Sequence, residues 1–226
     1  LVRSRGLGDV YKRQGNTILG ALAGDAFDTN VENTFIGRSA GGGSSANASY
    51  CTVVGGLGLS QDATATGTVA IGYSSLRYLT TGTGNIAIGY QAADGLTTGD
   101  RNLAIGYEEM GDTGGATVLD SDDNIFIGYN SGAGTWVTAK NNKNVAIGNY
   151  AMNGALNGAL NNTAVGYSAL TALTTGENNT VVGMGAADAM DGSESNNVAI
   201  GKDAMGAVDE GSHGSAKANS LSLIHI

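Results

Sequence analysis

Proline is absent from the 226-residue sequence, and cysteine occurs once, at Cys51. A single cysteine excludes an intramolecular disulfide framework and a multi-cysteine metal site. Aromatic residues make up 6% of the chain, and no apolar run approaches the length of a membrane span. We therefore expect no direct membrane insertion. Glycine, by contrast, is frequent, with 38 residues.

Basic residues are also scarce. The chain has 11 Lys and Arg residues against 20 Asp and Glu residues, a formal net charge of −9. A phosphate-binding surface needs clustered cations, and so does a surface that binds anionic lipid, so the composition argues against nucleic acid and membrane partners. An acidic surface fits an extracellular object that charge repulsion keeps soluble.

What the chain does have is a repeated unit of five residues, which we call the pentad. It consists of a polar residue, three apolar or Thr residues (the first, second and third positions) and Gly. Pentads occupy residues 16–20, 33–37, 51–55, 68–72, 85–89, 102–106, 124–128, 144–148, 162–166, 179–183 and 197–201. Successive pentad glycines are 17 to 22 residues apart. So short a repeat predicts an all-β fold, a parallel β-solenoid (β-roll) of about eleven turns.

The three middle positions of the pentad predict which side chains share a face. Alternation along a strand puts the first and third positions together, and because they are aliphatic or Thr we expect them to form the core. The second position would then face outward, although it is always apolar. Packing against other subunits explains this, and so does a mildly apolar solvated face. Phe35 and Phe126 favour packing.

Asparagine heads most pentads, and aligned Asn side chains in stacked turns can hydrogen-bond along the axis. Cys51 takes the same position, where we expect a small buried thiol in the stack. The predicted structural ladder consists of Asn16, Asn33, Asn85, Asn102, Asn124, Asn144, Asn162, Asn179 and Asn197.

Two segments lie outside the repeat, and both look like translated sequencing-adapter ends of a metagenomic read. We therefore divide the chain into a non-native tail at 1–14, a β-solenoid fragment at 15–220 and a non-native tail at 221–226. The alternative for 1–14 is a genuine basic N-terminal tail. Without the tails, 7 basic and 19 acidic residues remain, a net charge of −12. Asn219 and Ser220 are candidates for the start of a twelfth unit.

The sequence Asn-Val-Ala-Ile-Gly at 144–148 and 197–201, with Ala three residues later, resembles the head repeats of trimeric autotransporter adhesins. The longer phrase at 162–170, followed by Thr-Thr-Gly at 174–176, is more similar to repeats of phage tail-fibre proteins. The resemblance covers nearly all of 15–220. It implies a left-handed parallel β-roll, three chains per head and binding of host surface molecules. Adhesin head repeats are usually shorter, which leaves handedness and cross-section open.

Tyrosine directly follows the pentad glycine in five units. In stacked turns these residues would form a stripe that either binds sugars through rings and hydroxyls or merely covers the edge of the roll. The five residues are Tyr73, Tyr90, Tyr107, Tyr129 and Tyr167.

The two longest repeats are neighbours and place an acidic insertion beside a basic one. Insertions in repeat proteins map to one face, often the binding face. We expect a receptor contact here, with Trp136 as the anchor and Tyr107, Tyr129, Lys140 and Lys143 around it. The alternative is two surface loops that pair their charges weakly. The acidic segment 120–124 lacks the spacing of an EF-hand loop, so we assign no metal ligand, no cofactor and no catalytic residue.

These patterns predict a structural, adhesive fibre segment and not an enzyme. The candidates are a phage tail fibre or the head of a bacterial surface adhesin, located outside the cell on a virion or cell surface. Expected partners are further copies of the chain, as a homotrimer, and a host surface glycan or outer-membrane protein. The alternatives are a polysaccharide depolymerase built on a β-solenoid and an ice-binding solenoid.

Overall fold

The computed structural model describes residues 15–25, 30–43, 48–61, 63–110, 120–136 and 139–206, together with the backbone of 221–223. Within these residues each pentad forms one strand, and all strands belong to a single parallel sheet. No helix in the described part of the chain is long and apolar enough to cross a membrane.

The sheet has twelve strands whose order follows the chain from β1 to β12. The strands are β1 Thr17–Leu19, β2 Thr34–Ile36, β3 Thr52–Val54, β4 Val69–Ile71, β5 Ile86–Ile88, β6 Leu103–Tyr107, β7 Ile125–Tyr129, β8 Val145–Ile147, β9 Thr163–Val165, β10 Thr180–Val182, β11 Val198–Ile200 and β12 Leu221–Leu223.

Neighbouring strands pair with equivalent pentad positions opposite each other. Ala70 of β4 pairs with Ala87 of β5, which in turn pairs with Ala104 of β6. One strand per repeat in strict register defines a parallel β-solenoid, so the predicted fold class is confirmed. The left-handed path stays a prediction.

The return segments between strands are built from turns, and the described residues contain no helix. Isolated parallel bridges link successive return segments two residues before six of the pentads. They run from Ser49 through Thr66 to Thr83, and from Asn142 through Leu160 to Glu177. Neighbouring turns are therefore held together on both sides of the pentad's polar residue.

Strand β12 lies within the segment that the sequence assigned to a non-native tail. Its backbone pairs with β11 so that Leu221 lies opposite Val198. A twelfth unit headed by Asn219 would pair one residue earlier. The boundaries at 14/15 and 220/221 stay predictions.

The side chains that fill the core are those of the second pentad position. In β2 to β11 all ten are fully buried: Phe35, Val53, Ala70, Ala87, Ala104, Phe126, Ala146, Ala164, Val181 and Ala199. First- and third-position side chains are half-buried or exposed in all eleven pentad strands. The prediction that the first and third positions face the core is therefore wrong.

The dimensions of the turn explain this reversal. A repeat of 17 to 22 residues must make a strand and its return, which leaves a narrow interior that an Ala side chain fills. Strand alternation then directs the bulkier first and third residues outward. A period of two identifies which residues share a face, but it does not identify which face is inside.

The core keeps its volume by compensation between two positions six residues apart. Where the second position is Phe35 or Phe126, the sixth residue after it is Gly41 or Gly132. A Cβ atom added to Gly41 would lie 2.9 Å from Cε2 of Phe35, and one on Gly132 would collide with the Phe126 ring. Where the second position is Ala, the sixth residue is usually a buried Leu or Met: Leu76, Met110, Met152, Leu170 and Met205.

The asparagine residues that head the pentads bond to one another along the solenoid axis. Asn124 is representative: its Oδ1 accepts the backbone N–H of Asn144 at 3.0 Å, and its Nδ2 donates to Oδ1 of Asn102 at 3.0 Å. Nδ2 also donates to the return segment, at the carbonyl of Asn141, 2.7 Å away. These side chains therefore connect strand to return segment and turn to turn.

The ladder runs without a break from Asn85 to Asn197. Asn33 donates to Ala48 and accepts from the backbone of Cys51, whose thiol is buried and donates to the Ser49 carbonyl at 3.3 Å. Burial raises the pKa of the Cys51 thiol. Thr68, which is also buried, continues the column. Cys51 and Thr68 thus separate two stretches of ladder.

We expect removal of one ladder side chain to be costly. Asn124→Ala leaves the buried N–H of Asn144 and the carbonyl of Asn141 without partners, at about 1–3 kcal/mol for each group. Urea unfolding should therefore show a loss of roughly 2–6 kcal/mol. The matched control is Asn157→Ala, because Asn157 bonds to the backbone of Ala139 at an exposed site. Equal losses in both variants would contradict a special role of the ladder.

A double-mutant cycle tests the volume compensation. Phe35→Ala empties the core, with an expected cost of about 3–5 kcal/mol, and Gly41→Leu alone overfills it. Together they recreate the Ala–Leu pair of neighbouring turns, so we expect the double variant to recover most of the loss in urea unfolding. Additive losses would show that the two positions do not share one cavity.

Candidate binding surface

Trp136, the predicted receptor anchor, lies in the core. It is 1% exposed, its Nε1 donates to the carbonyl of Gly132 at 2.8 Å, and its ring meets Phe126 edge-on at 5.6 Å. The Trp136 ring packs against Phe126. The Phe126 ring fits at this place because Gly132 has no side chain. The burial contradicts a role for Trp136 as a surface anchor.

Tyrosines on neighbouring turns form a continuous column, which we call the tyrosine column. Its members are Tyr73, Tyr90, Tyr107, Tyr129, Tyr150 and Tyr167. Strand register produces it, because Gly106 pairs with Gly128 and Tyr107 with Tyr129. Five of the six were identified from the sequence, including the candidate receptor residues Tyr107 and Tyr129.

The first four rings of the column are stacked. Their centroids are 5.7, 5.0 and 5.4 Å apart, and successive ring planes differ by 14–15°. Offset stacking at such distances stabilises each pair by about 0.5–1.5 kcal/mol. Partial burial and the neighbouring Glu108 raise the pKa of Tyr107. Stacking covers the ring faces, so this stretch presents ring edges and hydroxyls to solvent.

Tyr150 is the member that the sequence pattern missed. Asn149 follows Gly148, and the tyrosine comes one residue later. The ring of Tyr150 lies at 75° to Tyr129 and at 80° to Tyr167, with centroids 5.4 and 5.8 Å away. The signal that could have found it is a tyrosine within two residues of the pentad glycine, as Tyr150 is of Gly148.

Two ion pairs join charged residues of neighbouring turns in the described part of the range 100–143. Lys140 lies 3.0 Å from Asp120, and Arg101 lies 2.6 Å from Asp123. A hydrogen bond from Thr98, together with Lys140, lowers the pKa of Asp120. Arg101 and then Lys143 lower the pKa of Asp123. All these side chains are exposed, so the pairs stabilise little, and this geometry agrees with the alternative of two surface loops that pair their charges.

Two neighbouring acidic residues, Asp100 and Asp122, bond to the backbone of the preceding turn. Oδ1 of Asp100 accepts the N–H of Thr83 at 2.7 Å, and Oδ1 of Asp122 accepts the N–H of Asp100 at 2.8 Å. One turn further on, Oδ1 of Asn142 accepts the backbone N–H of Asp122 at 2.8 Å. This column forms a second, outer ladder. In the described residues, no group of three or more His, Cys, Asp and Glu side chains is placed to hold a metal ion.

Glu109 differs from its surface neighbours because it is fully buried. It occupies the third place after the pentad glycine, where Ala92, Ala151 and Ala169 stand in other turns. Its Oε2 accepts the N–H of Ser131 at 2.9 Å, and its Oε1 has no partner in the described residues. Burial raises the pKa of Glu109 to about 8.

The outward face of the sheet carries aliphatic side chains along the whole solenoid, interrupted by Thr at five first positions. We call it the outer sheet face; it consists of the first and third pentad side chains. Between 36% and 41% of the residue surface is exposed at Ile71, Ile86, Ile147, Val182 and Ile200, and 66% at Leu19 of the end strand. No charged residue occupies either row in the eleven pentads.

Comparison with protein-family models, with curated proteins and with solved structures found no match.

The buried carboxyl of Glu109 predicts a pH dependence of stability. Because its pKa is about 8 in the folded chain against 4.5 for a free side chain, protonation stabilises the fold. This stability is fully present below pH 4.5 and is lost as pH rises to about 8. We expect wild type to lose roughly 2–4 kcal/mol over this range in urea unfolding.

Glu109→Gln should remove that dependence and should be more stable than wild type at pH 9. The matched control is Glu108→Gln, a neighbouring side chain at the surface, which should leave the profile unchanged. A wild-type profile that stays flat between pH 5 and pH 9 would contradict a protonated Glu109.

Proposed function

We propose that this chain is a segment of an extracellular fibre that attaches to a cell surface. Copies associate through the outer sheet face, and the remaining lateral surface binds a receptor. The observation that carries the proposal is the outer sheet face, because its eleven third-position residues are all aliphatic and all lie at least partly exposed in the single chain.

The apolar character of the outer sheet face favours association. Eleven strands at about 4.8 Å spacing, each about 10 Å long, give a surface of roughly 500 Å². This is comparable with the largest apolar patch of a typical monomeric protein, and such patches often mark interaction sites.

The assembly that we propose is a homotrimer. A stable interface buries about 800 Å² per partner, so surfaces beside the outer sheet face must contribute to it. In a closed ring of three, each chain contacts two others, and the side chains that flank the sheet add to the buried area. The resemblance to trimeric adhesin heads implies the same number.

The receptor would be a host surface glycan or an outer-membrane protein. Its binding site lies outside the outer sheet face, on the surfaces that a trimer leaves in solvent. The tail-fibre version of the proposal is favoured by the repeat length and by the Thr-Thr-Gly turns at 80–82, 97–99 and 174–176.

Sedimentation equilibrium tests the association. We expect the full chain to sediment as a trimer at micromolar concentration, and Ile86→Lys with Ile147→Lys to sediment as a monomer, because the charges lie in the interface. The matched control is Tyr78→Lys. Tyr78 is 37% exposed, like Ile86, but it belongs to a return segment. We expect the control to remain a trimer.

A monomeric wild-type chain would contradict the association, as would dissociation by the control variant alone. Flow cytometry of the labelled chain on bacterial and animal cells tests attachment separately. Saturable binding supports it, and absence of binding to every cell type contradicts it.

A further inference from the structure

The large apolar side chains that lie exposed outside the pentads fall mostly in one column. Among the described residues there are nine of them, and six directly follow a pentad glycine. The other three are Leu22 in the first turn, Tyr50 and Tyr78. The six are Tyr73, Tyr90, Tyr107, Tyr129, Tyr167 and Met184. The described chain therefore carries a second lengthwise apolar surface besides the outer sheet face, and this surface is the tyrosine column.

The tyrosine column borders the outer sheet face. One glycine separates each exposed column tyrosine from the third residue of its pentad, and β6 itself continues through Ile105 and Gly106 to Tyr107. Residues two apart in a strand are separated by about 6.6 Å, so the column and the third-position row run side by side. Aliphatic side chain and ring recur together as Ile-Gly-Tyr at 71–73, 88–90, 105–107 and 127–129.

The opposite border of the outer sheet face is charged. Arg101, Asp123 and Lys143 directly precede the pentad in three successive turns. The side chains of Arg101 and Asp123 form an ion pair and stay 56% and 37% exposed. On the tyrosine side, no charged residue follows a pentad glycine between Arg38 and Lys202. Interface cores are depleted of charge and enriched in Tyr and Met, so the tyrosine side is the one suited to contact another chain.

A closed ring of three needs two different surfaces on each chain. In contrast to a two-fold dimer, a ring of three has heterologous interfaces, in which one patch of a chain contacts a different patch of its neighbour. The outer sheet face provides one of these patches. The tyrosine column fits the other, because it runs along the same solenoid and repeats once per turn in the stretch from Tyr73 to Tyr129.

We propose that the tyrosine column of each copy packs against the outer sheet face of the next copy, and that this contact closes the homotrimer. Ring centroids 5.0 to 5.7 Å apart match the strand spacing of about 4.8 Å, so each ring can meet one strand of the neighbour. The inference rests on the proposed association and names the second surface that takes part in it. The receptor candidates Tyr107 and Tyr129 are then covered by the neighbouring copy.

The column about doubles the surface that a chain can bury. Its five exposed tyrosines are 39–54% exposed in the single chain. At about 200 Å² for a whole tyrosine, the five together offer roughly 450 Å². With about 500 Å² from the outer sheet face, each chain buries roughly 950 Å² in the ring. The outer sheet face alone stays below the contribution of about 800 Å² that a chain makes to a stable interface, and the two patches together exceed it.

Nitration of tyrosines by tetranitromethane tests the contact on the unaltered full chain. In the single chain Tyr90 and Tyr167 are 42% and 54% exposed, and Tyr78 and Tyr50, outside both patches, are 37% and 60% exposed. We expect mass spectrometry of peptides to show that the first two react several times more slowly than the last two in the trimer. In the double lysine variant of the outer sheet face all four should react at similar rates, which separates a contact between chains from stacking within one.

Charge placed in the column tests the same contact independently. Tyr90→Lys with Tyr167→Lys should raise the concentration at which the trimer dissociates at least about thirtyfold, the equivalent of losing one interface hot spot. The matched control is Tyr50→Lys with Tyr78→Lys, which adds the same charge outside both patches and should leave sedimentation unchanged. Thermal unfolding reports whether the variants fold. If the column variant does not fold, the nitration pattern of the unaltered chain decides.

A trimer of the unaltered chain whose column tyrosines react as fast as in the double lysine variant would overturn the proposal, and so would a folded column variant that dissociates no more readily than the control. In both cases association through the outer sheet face stands, and the column is free for another ligand, such as a sugar. An unaltered chain that sediments as a monomer overturns the association and this contact together.

Discussion

The asparagine ladder is the interaction on which the rest of the structure depends. A solenoid of this size has too small a cross-section to be held by its core alone, since most second-position residues are alanine. From Asn85 to Asn197 the carboxamides bond strand to strand and strand to return segment in every turn. Buried amides of this kind must be partnered, so each turn is held in register by its neighbour.

Strict register has two further consequences. Pentad glycines stack so closely that a Cβ atom on Gly72 would collide with the carbonyl of Gly89. Residues that follow these glycines are likewise brought into line, which creates the tyrosine column on one side. The first and third strand residues are aligned on the outside and create the outer sheet face. Both surfaces that we connect with function are products of the same repeat.

The sequence predicted the repeat, the strands and the residues of the ladder, because these depend on periodicity alone. It did not predict the direction of the strand faces, since alternation is symmetric and only the path of the return segment breaks the symmetry. A signal was present nonetheless: Phe35 with Gly41 and Phe126 with Gly132 keep a constant volume, as Ala146 with Met152 does. Such compensation occurs between side chains that share a cavity.

The candidate site was predicted less well, because it depends on individual side chains. Trp136 was expected at the surface, yet Gly132 opens a space in which the ring packs against Phe126. Glu109 is one of several acids in the sequence, and only its position after Gly106 buries it. The sequence by itself determined a β-solenoid with an axial asparagine ladder, because repetition constrains every turn equally. The tertiary structure alone decided which face is inside and where one ring leaves the column, since these follow from how side chains fill a particular turn.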